Sequence, residues 1–235
     1  MPRDWIYPKA SRHTLCLLAI LVLRHMRDYR GNDRVVPVRN LTEFFRDSID
    51  AVLERRSVDV DPHAAHYVVN LLTLFSRSEE FYEDHGDTYG IRPLALMLSD
   101  AAVAASPEER NFSLQRIGDV ALFISGFFAD SLAHRLVDLD YYIYMGENAY
   151  GSLSEEIRGT TRGDAFAGIY RELASKFQIM VDVLHEVRDD AQGGSDTDLL
   201  RAYEIWLKTG SRHAERLLKK SGVVPIAGRN SLNRH

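Results

Sequence analysis

The chain has 235 residues, 45% hydrophobic and 10% aromatic, enough apolar mass for one large globular core. Its net charge of −5 is spread unevenly. Residues 1–56 carry 11 Lys and Arg against 7 Asp and Glu, 57–200 carry 10 against 25, and 201–235 carry 8 against 2. An acidic body with basic ends argues against a nucleic-acid footprint over the whole surface. The single cysteine, Cys16, excludes an intrachain disulfide framework and a cysteine zinc site, and it fits a reducing, cytoplasmic setting.

Residues 14–23 (TLCLLAILVL) form the most apolar run. Ten residues span about half a bilayer. Arg12, His13, Arg24 and His25 flank the run, and no small-x-small cleavage site follows it. A buried helix is expected there, not a signal or an integral membrane anchor. Residues 1–33 are expected to be an N-terminal appendage or extra helix; with Met26 as an alternative start, residues 1–25 would be an appendage the fold does not need. The all-helical domain is expected over 34–225 and a flexible tail over 226–235.

Within that domain, Asn40 with Glu43 three residues on is a capping box that starts a helix to about Arg56. Leu41, Phe44, Phe45, Ile49, Val52 and Leu53 share its apolar face. Asp61 followed by Pro62 caps a second helix, expected to reach about Asp84 and to bury Ala64, Val68, Leu71, Leu72 and Phe75. A glycine-bearing loop over 85–90 and a short helix after Pro93 follow.

Ser106, Pro107, Glu108 and Glu109 supply a cap, a proline and an acidic first turn for a long central helix from about 107. It is expected to break near 137–139, with a second segment to Gly146 or Gly151 and a surface loop over 151–163. Residues 164–188 read as one helix, 189–195 as a linker, and 196–220 as a last helix capped by Asp196. No β-alternation and no internal repeat interrupts this pattern. The fold class is therefore all-α: one domain of about seven to nine helices, bundle-like or orthogonally packed.

Along the long helix, Ala121, Ser125, Ala129 and Ala133 form a small-residue stripe that lets another helix approach closely. Asp119, Phe123, Phe127, Asp130, His134 and Asp138 fall on a separate arc; Phe123 and Phe127 aside, it reads as the polar side of an amphipathic helix, with Asp130, His134 and Asp138 as an exposed charge ladder. The same spacing also suits a metal. Asp130 and His134 lie one turn apart, and His63 and His66 on another helix would complete a di-iron or di-manganese centre. The companion Glu-x-x-His of helical carboxylate-bridged sites is absent, so the first expectation is a protein without cofactor.

Three further features suit contacts. Tyr141, Tyr142 and Tyr144 offer large area with polar tips. Arg201, Lys208, Arg212 and Arg216 fall near one face of the last helix, a basic surface for an acidic protein, RNA backbone or anionic lipid. Asp182, His185, Glu186, Asp189 and Asp190 crowd a helix C-terminus, where acidic groups oppose the helix dipole; solvation or pairing with the basic terminal helix would relieve that. Walker, Gly-x-Ser-x-Gly and His-Glu-x-x-His motifs are missing. These features predict a non-catalytic cytoplasmic protein, regulatory or scaffolding, that binds a protein partner and forms a homo-oligomer. A metalloenzyme on Asp130 and His134 is the alternative, and RNA or anionic-membrane binding through the basic helix a second.

Overall fold

A computed structural model describes residues 41–77, 83–84, 89–90, 93–132, 137–159, 163–191 and 199–225. Among the described residues the chain is helical, with nine α-helices and one short 3-10 turn. The only strand pairing among them joins Glu83–Asp84 antiparallel to Tyr89–Gly90. The expectations for 1–33, the Asn40 and Asp196 caps, and the tail at 226–235 lie outside the described residues.

The first two helices pack as a hairpin. In α1 (Leu41–Arg56), Phe45, Ile49 and Val52 point inward at helical spacing. In α2 (Pro62–Arg77), Asp61 caps the start, its Oδ1 accepting from the backbone N–H of His63 at 2.8 Å and Ala64 at 3.2 Å. Ala64, Val68, Leu71, Leu72 and Phe75 are all buried, as the spacing predicts. Full burial of a Leu72 or Ile49 side chain contributes about 1.5–3 kcal/mol each.

Helix α3 (Leu94–Ala102) leads into the central α4 (Pro107–Phe127). Ser106 caps α4 by accepting from Glu109 N–H at 3.2 Å, with Pro107 in the first turn. From Leu114 to Phe127 only Gln115, Arg116 and Asp119 escape full burial. So α4 is a core helix, packed by α3, α5 and α7. The expected polar arc is corrected at Asp119, which faces other helices; Phe123 and Phe127 are buried.

Helix α2, expected to reach about Asp84, ends at Arg77, and Glu83–Asp84 pairs as a strand; three more expected boundaries are corrected. First, α4 ends at Phe127, ten residues early, and a 3-10 turn follows at Ala129–Leu132. Ser125 Oγ bonds back to the Ala121 carbonyl, and the Ala129 carbonyl is taken by Arg201 from the far end of the chain. That second partner is invisible locally. Asp138 then caps a new helix, α5 (Leu139–Glu156), accepting from Leu139 N–H at 2.7 Å. Neither Gly146 nor Gly151 stops it, so the loop expected from 151 begins later. Gly146 instead gives room to the Phe177 ring, where a Cβ would collide.

Second, 164–188 is two helices, α6 (Gly163–Ser175) and α7 (Phe177–Ala191). They divide at Lys176, whose Nζ reaches the Asp59 carbonyl at 2.7 Å in the α1–α2 connection. Phe166 on α6 is half exposed. Third, the last helix is two, α8 (Leu199–Thr209) and α9 (Arg212–Lys220). Gly210 between them has φ +68°, a left-handed conformation that glycine adopts at little cost. Ser211 starts α9 by accepting from Ala214 N–H at 3.1 Å.

The small-residue stripe is internal. Ala121 and Ser125 are fully buried, and α5 and α7 occupy the space it leaves. It brings helices of one chain together, so it is not an intermolecular surface.

Candidate interaction surface

The turn at Gly210 splits the four basic residues read as one face. Arg201 is 6% exposed and points inward. Its Nη2 donates to Asp138 Oδ1 at 2.8 Å and to the Ala129 carbonyl at 2.7 Å. Lys208 joins it on Asp138. Burial pushes the Asp138 carboxyl up, but hydrogen bonds from Arg201, Lys208 and Leu139 N–H outweigh it and hold the group well below the usual carboxylate range. Asp138 is thus a cap and an ion-pair partner, not the third rung of a ladder with Asp130 and His134.

Arg216 donates to Glu186 Oε2 at 2.7 Å. Arg55 and Arg56 converge on the same carboxylate, each at 2.8 Å. Burial raises Glu186, and the three guanidiniums bring it below its ordinary value. The Arg212 side chain lies at the surface, while its backbone N–H donates to Asp182 Oδ2 at 2.9 Å. Asp182 also accepts from Ser211 Oγ at 2.7 Å and His213 N–H at 3.3 Å. A buried carboxylate from α7 thereby sits at the N-terminus of α9, where the helix dipole favours it. His213 Nε2 donates to Asp189 Oδ2 at 2.9 Å. The acidic end of α7 is therefore the seat of the basic terminal segment, and the chain's charge asymmetry closes on itself.

Two further ionisable groups, Asp119 and His185, lie in the interior between helices. Asp119 Oδ1 accepts from Tyr67 Oη at 2.6 Å and Tyr150 Oη at 2.7 Å. Gln115 Nε2 donates to Tyr67 Oη at 3.1 Å, and the Tyr150 and Tyr170 rings stack at 5.6 Å. Four helices meet at this carboxyl. Burial raises it to about 6, against the two tyrosine hydrogen bonds and the Arg116 charge, which lower it. The Tyr150 ring fills the space over Gly118, where a Cβ would strike it. The available signal was Tyr67, which shares a helical stripe with Ala64, Val68 and Leu71. On α7, His185 Nε2 donates to the Ser125 carbonyl at 2.7 Å; burial, then Arg188 and His213, lower it to about 4.

Helix α8 is built inside out. Arg201, Ala202 and Ile205 face the body. On the opposite side Leu200 is 69% and Leu207 49% exposed, with Leu199 beside them. Tyr203, half-buried, falls within about 60° of Leu200 and Leu207 on the wheel, its ring 5.7 Å from Trp206. Leu200, Tyr203 and Leu207 follow the three-four spacing of a coiled-coil seam.

The remaining expected residues are dispersed. His63 and His66 are exposed on the first turns of α2. The backbone of Asp130 lies in the Ala129–Leu132 turn; its side chain and all of His134 lie outside the described residues. Among the described residues no group of three or more His, Cys, Asp or Glu is placed to hold a metal. Tyr141 and Tyr142 are half-buried and Tyr144 is exposed. No helix among the described residues is long and apolar enough to cross a membrane. No protein-family model matches this chain, and no curated protein or solved structure matches it.

Proposed function

We propose that the chain is a non-catalytic cytoplasmic protein of regulatory or scaffolding type, acting through protein–protein contacts and forming a homo-oligomer through the outward face of α8. The observation that carries this reading is the orientation of α8. An arginine is turned into the body, while Leu200 and Leu207 are exposed with the half-buried Tyr203 beside them. Exposed leucines on a regular seam lower the free energy when a second apolar seam covers them, by roughly 25 cal/mol per Å² buried. A seam of this spacing is complementary to its own copy across a two-fold axis. The basic residues once read as an RNA or lipid face support the reading indirectly. Arg201, Lys208 and Arg216 are occupied by Asp138 and Glu186.

Light scattering over a concentration series tests it. Wild-type mass rises above 26.7 kDa with concentration, and Leu200→Glu with Leu207→Glu returns it to the monomer value with an unchanged helical spectrum. Identical masses for the two proteins at every concentration contradict it.

A further inference from the structure

Helix α3 is apolar on nearly every side, yet only one side is covered. Of its nine residues only Ser99 and Asp100 are polar. Leu94, Met97 and Ala101 face the core, chiefly against α4. Leu96 is 47%, Leu98 45% and the adjoining Val103 77% exposed. A helix that is hydrophobic all round is ordinarily a buried one, and among the described residues this outer face has no cover.

The chain carries a matching element. Residues 14–23 contain no charge and no strongly polar side chain. As a helix they would measure about 15 Å, close to the length of α3. They lie outside the described residues, in the 40 that precede α1. The 17 residues from 24 to 40 join them to Leu41. Such a tether reaches up to about 58 Å, more than the roughly 40 Å diameter of a domain of this size. Tethering also sets a local concentration of order millimolar, which favours the chain's own segment over a free partner.

We propose that the outer arc of α3, bounded by Leu96 with Val103 on one edge and Leu98 on the other, with Ala95, Ser99 and Ala102 between, is the docking surface for residues 14–23 of the same chain. This makes 14–23 a structural cover of the domain, not a dispensable leader to it. The claim is independent of the α8 seam, which lies on another helix.

Cys16 is the chain's only cysteine and sits inside the docking segment, so a second cysteine reports its position. Two full-length variants are compared, Val103→Cys on the α3 face and Arg212→Cys at the start of α9, both at exposed positions. Each is treated at low micromolar concentration with a short bis-maleimide and read by peptide mass spectrometry and denaturing gel. The expected result is an intrachain 16–103 link in at least about tenfold higher yield than 16–212. Leu17→Asp with Leu21→Asp removes the preference. Equal yields from the two positions, or a 16–103 link found only in covalent dimers, would overturn the proposal. The dimer result would mean that a second copy supplies the cover.

Discussion

Arg201 and Asp138, 63 residues apart, are joined by two hydrogen bonds, Nη2 to Oδ1 at 2.8 Å and Nη1 to Oδ2 at 3.3 Å. The same guanidinium holds the Ala129 carbonyl. One side chain of α8 thus secures both the turn that ends α4 and the cap that starts α5. It also fixes which way α8 faces, because turning Arg201 in turns Leu200 and Leu207 out.

Removing that guanidinium leaves the buried Ala129 carbonyl without its partner and the partly buried Asp138 carboxylate with only Lys208 and the Leu139 N–H. Arg201→Ala is expected to cost about 3 kcal/mol. Arg212→Ala, with its side chain at the surface, is expected to stay within about 0.5 kcal/mol. Urea unfolding followed by circular dichroism compares them; equal midpoints would remove the latch.

The Asp119 carboxyl has an opposite kind of energetics. Its folded value of about 6 lies above the ordinary carboxylate value, so the native state holds this proton more tightly than the unfolded chain. Its stabilising contribution is complete below about pH 4 and is lost as pH rises through about 6. His185 acts in the other direction. Its folded value of about 4 lies below the ordinary 6.5, so its contribution is present above pH 6.5 and is lost as pH falls to about 4. Wild-type stability alone therefore hides both. Asp119→Asn keeps an acceptor for Tyr67 and Tyr150 and removes the charge. Relative to wild type it should gain roughly 3 kcal/mol between pH 4 and pH 7. A wild-type-minus-variant difference that is flat across this range would contradict the assignment.

The Tyr150 ring leaves no room at Gly118. Gly118→Ala should destabilise by about 1–3 kcal/mol through overpacking, despite alanine's higher helix propensity. Gly168→Ala meets nothing within 4 Å and should be neutral or stabilising. Thermal melts of the two variants check the contrast, and a stable Gly118→Ala would mean that the α4–α5 contact is looser than described.

The contact reading expects a protein purified without stoichiometric metal. Plasma mass spectrometry of untagged material checks this; one or two equivalents of iron, manganese or zinc per chain, lost in His134→Ala, would favour the metalloenzyme alternative.

Much of the fold was legible because local signals and tertiary packing agree. The Asp61 and Ser106 caps and the apolar stripe of α2 appear where spacing puts them. The misplaced boundaries lie where non-local or backbone effects act: beyond Phe127 Arg201 takes the Ala129 carbonyl, the Lys176 side chain reaches out to the Asp59 carbonyl, and Gly210 adopts a left-handed conformation. Periodicity alone continues through such points. The site was less legible for a related reason. Asp119 looked polar and solvated because its tyrosine partners come from α2 and α5. Arg201 looked like surface charge because its carboxylate lies 63 residues earlier.

The most direct test of the central claim, that α8 presents an apolar seam to a second copy, is sedimentation velocity at several concentrations in low and high salt. The account predicts a monomer–oligomer equilibrium that high salt leaves intact or strengthens, because apolar burial and not ion pairing drives it. It also predicts that Leu200→Glu with Leu207→Glu abolishes the equilibrium. A wild-type protein that sediments as a monomer throughout, or an oligomer that dissolves in salt and ignores those two substitutions, would contradict it.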